Sequence, residues 1–354
     1  MGLIVDIEKC YKNFSLNIKM DTENKPTGFL GASGGGKSLT LKCVAGIETP
    51  DRGKILLNGR TLYDSERGIN LKPQKRCVGY MFQNYALFPN MTVRENIELA
   101  IKGNKNKKSE ADKLLTVFRL SNLENCYPNR LSGGEQQRTA LARMMILKPE
   151  AMLFDEPFSA LDSYLKEELQ QELLEVLKEY RGDILMVSHS RDELYRFCKS
   201  IIVISQGQKV EAGNKEEVFG NPSDVITARL TGCKNISKAV RVSDYEIYAS
   251  DWNIQLHTDR LVEADISYVG IRAHNIRLSK DKDLFNTLPV TLAGLSEGPF
   301  EYSLILSNGS KERLWWILSK QEWKNQLKEQ PPTKVTLPAE RLLLLKGKLQ
   351  DKEE

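Results

Sequence analysis

The eight residues Gly31-Ala32-Ser33-Gly34-Gly35-Gly36-Lys37-Ser38 constrain this chain more than any other stretch, because they fit G-x-x-x-x-G-K-[ST] between an apolar run and a helical one. A glycine-rich turn of this kind lets the backbone curl until successive N–H groups converge, and a helix beginning directly after it adds the positive end of its dipole. Such a turn suits an anion. Lys37 is placed to neutralise phosphate charge, the Ser38 hydroxyl to ligate Mg²⁺, and Leu39 opens the helical run to Ala45. The bland alternative is a glycine turn that binds nothing, and the flanking strand over Gly28–Leu30 argues against it.

A length of 354 residues suggests two domains, and 40% hydrophobic with 28% charged residues is the balance of a globular chain. To about Leu230 the sequence alternates short apolar runs with helical patterns, as a mainly parallel sheet covered by helices does. Strands are expected at Gly28–Leu30, Val78–Phe82, Met152–Asp155, Ile184–Ser188 and Ile201–Ile204. An amphipathic helix is expected over Ser163–Tyr180, with Leu165, Leu169, Leu173, Val176, Leu177 and Tyr180 on one stripe and Gly182 ending it. Beyond about Thr231 short β-type stretches take over, and Asn308-Gly309 between Tyr302–Leu306 and Arg313–Leu318 predicts a hairpin with both turn residues at positive φ. The expected fold is therefore an α/β domain over residues 1–232, with helical subdomain at about 85–150, then a small all-β barrel over 233–346 and a tail at 347–354.

The formal charge of +4 carries no dominant nucleic-acid footprint. Six cysteines without a C-x-x-C pair point to neither a zinc site nor a disulfide framework, and a reducing compartment fits them. The amino terminus lacks the layout of a signal peptide, and no apolar run approaches the roughly 18 residues needed to span a bilayer. Any membrane role is expected to come through a partner.

Two further strings carry chemistry. Met152-Leu153-Phe154-Asp155-Glu156 is an apolar strand ending in adjacent carboxylates, which in a parallel sheet point toward a phosphate crevice. Asp155 would hold the magnesium shell, and Glu156 would accept a proton from, or orient, the water that attacks the terminal phosphate. Leu131-Ser132-Gly133-Gly134-Glu135-Gln136-Gln137-Arg138 couples a capping-box spacing, Ser132 to Glu135, with two glycines that leave N–H groups free at a helix start. That makes a second phosphate site, and the whole string resembles the signature of ABC ATPases.

The resemblance covers essentially residues 3–230 and assigns further roles. Gln83 resembles the Q-loop glutamine, which reaches magnesium and the attacking water. Ser159-Ala160-Leu161-Asp162 resembles the D-loop, and Asp162 is included in the nucleotide site. His189 resembles the switch histidine at the γ-phosphate, and Tyr11, ahead of Phe14, the aromatic that stacks on adenine. The resemblance implies ATP and Mg²⁺ as ligands and a head-to-tail homodimer in which Ser132, Gly133 and Gly134 face the phosphate loop of the second copy. It also implies transmembrane permease partners at the cytoplasmic face and, indirectly, an external substrate-binding protein. A separate C-terminal β domain resembles the regulatory TOBE/MOP-like extension of importer ATPases, and Lys72–Gln83 with Leu87-Phe88-Pro89 is similar to the molybdate and sulfate branch. Molybdate or tungstate is the expected cargo, with sulfate/thiosulfate, sugar, Fe³⁺ or polyamine as alternatives. Lys234, Asn235 and Ser237 are the candidates for a regulatory anion pocket. A non-transport ATPase acting on nucleic acid or ribosomes is the other class, but such proteins carry two cassettes or a long coiled coil, and this sequence shows neither.

Overall fold

The computed structural model describes residues 2–101, 106–159, 163–280, 285–327 and 330–348. The chain divides into two compact units, one ending at Lys215 and one beginning at Glu216.

In the first unit β1 (Leu3–Tyr11), β2 (Phe14–Asp21) and β3 (Thr27–Leu30) lead into helix α1 (Lys37–Ala45). There follow β4 (Arg52–Leu57), β5 (Arg60–Asp64), β6 (Ile69–Asn70) and β7 (Val78–Met81), then the helices α2 (Val93–Leu99), α3 (Lys107–Val117) and α4 (Gly133–Met145). The unit closes with β8 (Ala151–Asp155), α5 (Ser163–Lys178), β9 (Asp183–Val187), α6 (Arg191–Phe197), β10 (Ser200–Ser205) and β11 (Gln208–Asn214). These strands form one mixed sheet in the order β6-β5-β4-β1-β2-β11-β10-β3-β9-β8-β7. The run β10-β3-β9-β8-β7 is parallel throughout. All five strands expected from the sequence lie in it, with bounds within one residue of those observed. They were legible because every residue of β3 and β9 is buried, which leaves an uninterrupted apolar run. The extension β6-β5-β4-β1-β2 is antiparallel. There Leu3, Val5 and Ile7 point into the core while Ile4 and Glu8 are exposed, so the charged residues break up the apolar signal.

Helix α1 is held at its far end by a buried cation. Arg76 is fully buried and donates from Nη1 to the carbonyls of Cys43 and Val44 at 2.8 Å each, from Nε to Leu71 O at 2.8 Å and from Nη2 to Asn70 Oδ1 at 2.9 Å. A guanidinium at a helix C-terminus satisfies carbonyls that have no intrahelical partner and meets the negative end of the dipole. Burial lowers the Arg76 pKa. Gly46 caps the helix at φ 79°, and a Cβ there would lie 2.5 Å from Arg76 Nε, so glycine is required both by conformation and by room.

Two turn assignments are corrected. Helix α5 ends at Lys178, before the expected Tyr180, and Gly182 does not cap it. A Cβ on Gly182 would stand 2.4 Å from Glu150 O, so the glycine serves close chain approach instead. Leu169 and Leu173 are buried as expected; Val176, Leu177 and Tyr180 are half-buried, and the side chain of Leu165 lies outside the described residues.

The second unit begins within α7 (Lys215–Gly220) and continues through α8 (Val225–Leu230), β12 (Asn235–Ser243), β13 (Glu246–Ala249), β14 (Ile254–His257) and β15 (Tyr268–Ile271). Then come β16 (Arg277–Leu278), β17 (Thr287–Pro289), β18 (Thr291–Glu297), β19 (Glu301–Ser307), β20 (Leu314–Ser319), α9 (Lys320–Gln326), β21 (Lys334–Thr336) and β22 (Leu342–Leu345). Its strands form the sheets β14-β13-β12-β15-β22, β16-β21-β17 and β18-β19-β20, which share a core containing Trp252, Val269, Leu304, Trp316 and Val335. Helix α8 packs through Val225 and Ala228 onto Cys233, Tyr268 and Leu345, which is why the unit starts earlier than the change of rhythm near Gly232. The β19–β20 hairpin forms as expected, but through the loop 308–313 rather than a two-residue turn. Only Gly309 of the pair takes positive φ, at 81°, because Asn308 instead donates to Trp252 O at 2.7 Å. Among the described residues no helix is long and apolar enough to cross a membrane.

Replacing Arg76 by leucine removes four hydrogen bonds, among them those to the carbonyls of Cys43 and Val44 at the end of α1. The expected loss is about 3 kcal/mol of unfolding free energy, read from the urea midpoint of the first transition.

Candidate nucleotide site

Strand β3 delivers the chain into Gly31–Ser38, and the loop curls tightly because two of its positions exclude a side chain. A Cβ on Gly31 would lie 2.3 Å from Ile204 O, and Gly36, the N-cap of α1, sits at φ 104° with Leu16 Cδ1 2.6 Å from its Cβ position. Lys37 is 5% exposed and its Nζ donates to the carbonyls of Gly31 and Ala32, both at 2.8 Å. Burial lowers the Lys37 pKa, while Glu156 and Asp155 oppose that shift. The loop opens on a cleft of about 440 Å³ lined by Ser33, Gly34, Gly35, Gly36, Lys37, Ser38 and Leu39, with Phe14, Glu156 and His189 on the other walls.

The opposite wall comes from the carboxyl ends of β8 and β9, whose parallel register sets Asp155 beside Val187. One carboxylate oxygen of Asp155 accepts from Ser38 Oγ and the other from Tyr80 Oη, each at 2.7 Å. Desolvation, and then the bond to Asp155, push the Tyr80 phenol pKa well up, so it stays a donor. Glu156 turns away from the strand in the left-handed region at φ 51°, with its N–H donating to Val187 O at 2.9 Å. A non-glycine residue in that region is uncommon and marks a site where the chain aims a side chain at some cost. Here Glu156 Oε1 meets His189 Nε2 at 2.7 Å. Among the described residues no three His, Cys, Asp or Glu side chains converge as a metal cage. A hydroxyl and a carboxylate 2.7 Å apart beside a phosphate loop are instead a hard-oxygen pair that fits Mg²⁺, an ion that keeps waters and takes its other ligands from phosphate.

The remaining expected residues are spread more widely. Gln83 is exposed on the loop after β7 and does not line the cleft. That loop is anchored by Arg143 of α4, which donates to the carbonyls of Tyr85 at 2.9 Å and Ala86 at 2.8 Å, two consecutive residues at positive φ. Ser132 caps α4 with the expected capping box: Glu135 N–H donates to Ser132 Oγ at 3.4 Å and Ser132 N–H to Glu135 Oε2 at 2.7 Å. Ser132 is exposed, and neither it nor Gly133 or Gly134 lines this chain's cleft. Tyr11 ends β1 with its ring half-exposed and Lys9 Nζ 5.4 Å from the ring centre, whereas its hairpin neighbour Phe14 lines the cleft. Asp162 lies outside the described residues.

Two outcomes were not visible in the sequence. Tyr80 gives no local signal, since its reach to Asp155 depends on β7 lying next to β8. In the second unit the proposed anion ligands are already engaged. Asn235 exchanges two hydrogen bonds with the Trp315 backbone at 2.6 and 2.8 Å, Lys234 Nζ stacks 4.8 Å over the Trp315 ring, and the buried Ser237 hydroxyl donates to Lys238 O at 2.8 Å. These three residues make no open anion pocket.

The family model described as ABC transporter matches residues 11–159. The sulfate/thiosulfate import ATP-binding protein of Brucella melitensis is 35% identical over 274 residues, 75% of this chain and 73% of that protein. The spermidine/putrescine import ATP-binding protein of Clostridioides difficile is 32% identical over 288 residues, 78% of this chain and 80% of its own length. Among solved structures, an ATP-binding cassette in a dimeric post-hydrolysis state with ADP and Pi superposes with a TM-score of 0.51 at 27% identity, covering 61% of this chain and 99% of the cassette. With a phosphate loop, Glu156 and His189 lining one cleft, Asp155 bonded to its Ser38, and relatives matched over most of their length, the chain belongs to the ABC transporter family and is an ABC ATPase.

Proposed function

We propose that this chain is the ATP-hydrolysing subunit of a sulfate-type oxyanion importer, working as a pair with a second copy. The observation that carries the hydrolytic assignment is the Glu156–His189 contact at the mouth of the phosphate-loop cleft. The cargo rests on relatives named for sulfate and thiosulfate, including the Brucella melitensis protein and a probable one from Chlorella vulgaris, 34% identical over 239 residues and 99% of its length. They support sulfate over molybdate. The polyamine importer subunit from Clostridioides difficile supports spermidine or putrescine as the second reading.

In this reading the loop N–H groups and Lys37 bind the β- and γ-phosphates of ATP, and Tyr11 offers its exposed ring to adenine beside Phe14. Ser38 and Asp155, with Gln83 moving in from its loop, would hold Mg²⁺, which offsets phosphate charge. Glu156 accepts the proton of the attacking water, and His189 donates to the γ-phosphate. Ser132, exposed and outside its own chain's cleft, would complete the site of a second copy. The loop around Gln83 then faces the permease at the cytoplasmic side of the membrane, and an external binding protein delivers the anion.

Three measurements test this reading. Glu156→Gln keeps the shape and loses the proton acceptor; kcat is expected to fall by about 10²–10⁴-fold with nucleotide affinity retained, and wild-type turnover would move the base elsewhere. Tyr80→Phe removes the bond that orients the Asp155 carboxylate, so the Mg²⁺ concentration for half-maximal binding of a fluorescent nucleotide rises, while binding without metal is unchanged. Uptake by vesicles carrying the assembled transporter separates the cargo readings: labelled sulfate is taken up and molybdate and spermidine are not.

A further inference from the structure

The histidine at the cleft is held by a side-chain ring that the nucleotide chemistry does not itself use. Glu193, in the first turn of α6, is 4% exposed. Its Oε2 accepts from Ser188 Oγ, at the end of β9, and its Oε1 takes Lys166 Nζ from α5 in an ion pair. Gln170, one helical turn beyond Lys166, adds a longer bond from Nε2 to the same Oε1 at 3.4 Å, and is itself fixed by Arg196 Nη1 at 2.8 Å. The ring closes through the backbone: Ser190 N–H donates to Ser188 Oγ at 2.9 Å, and Glu193 N–H donates to Ser190 Oγ at 3.4 Å. His189 is thus flanked on both sides by residues tied to Glu193, while its own imidazole, half-exposed, reaches Glu156.

We propose that Glu193 is a positioning residue for His189, and that its ion pair with Lys166 couples the turn 188–190 to α5, the helix that follows residues 160–162. A buried carboxylate is costly to keep unless its oxygens are filled, and here they are filled by groups from α5 and from the β9 end at once. Displacement of α5 therefore withdraws a charge partner from Glu193 and loosens the Ser188–Ser190 turn. A turn only about 1 Å out of place is enough to cost a large factor in rate, because the donor to the reacting group must be pre-aligned. The inference rests on the reading of His189 as the γ-phosphate contact, but the ring can be measured without turnover.

The test uses the full chain carrying Glu193→Gln, which retains an acceptor for Ser188 yet turns an amide toward Lys166, and separately Lys166→Met, which removes the cation alone. Each is compared with wild type in kcat, KM for ATP, and hydrogen exchange of the peptide spanning residues 188–193. Expected is a fall in kcat of about ten-fold or more with KM within about two-fold, and about ten-fold faster exchange confined to residues 188–193. Unchanged exchange and kcat in both variants would overturn the proposal. So would faster exchange spread through β9 and α6 with ATP affinity lost in parallel, the mark of a group that only stabilises the fold. His189→Ala separates this from the reading beneath it: full activity in that variant would remove His189 from the chemistry, whereas localised exchange in Glu193→Gln would still report the ring.

Discussion

The bond from Ser38 Oγ to Asp155 joins segments 117 residues apart, and the nucleotide site exists only where they meet. Ser38 lies in the first turn of α1, where the loop ends, and Asp155 ends β8, so the bond fixes the loop against the carboxyl end of the sheet. The cleft lies there because β3, β7, β8 and β9 run the same way and all end on that side. Parallel strands collect their outgoing loops along one edge, which is the general reason ligands lie outside the carboxyl ends of such sheets. From that edge emerge the phosphate loop, the Gln83 loop, the Asp155-Glu156 pair and the turn bearing His189.

Irregular backbone also occurs at this edge. Glu156, Tyr85 and Ala86 all take positive φ, a conformation that costs a non-glycine residue free energy and persists only when the surroundings compel it. For Glu156 the compelling contacts are the bond from its N–H to Val187 O and the imidazole of His189. For Tyr85 and Ala86 the guanidinium of Arg143 fills both carbonyls, which ties the Gln83 loop to the helix that Ser132 caps. The loop bearing Gln83 and the turn bearing Ser132 are thereby joined through α4. Opposite them, Arg76 holds the far end of α1, so the phosphate-loop helix is fixed at both termini.

How far the site was legible follows from how local each requirement is. Gly31, Gly36 and Lys37 answer demands of a single loop, namely close approach to Ile204 O, a positive φ and a cation within its own turn, so contiguous residues reveal them. The capping box of Ser132 and Glu135 is equally local, and so are the apolar runs of the buried parallel strands. The sequence by itself determined these, because short-range sterics and burial leave few other residues possible. Only the tertiary structure decided that Tyr80 donates to Asp155, that Phe14 rather than Tyr11 lines the cleft, and that Glu193 gathers Lys166 and Ser188. It also decided that Gly182 serves a close approach to Glu150, that Asn308 serves Trp252 instead of a tight turn, and that α8 belongs with the β-rich unit. Each of these contacts joins residues whose nearness depends on strand order and helix docking, and no pattern within one segment encodes which distant segment will lie beside it.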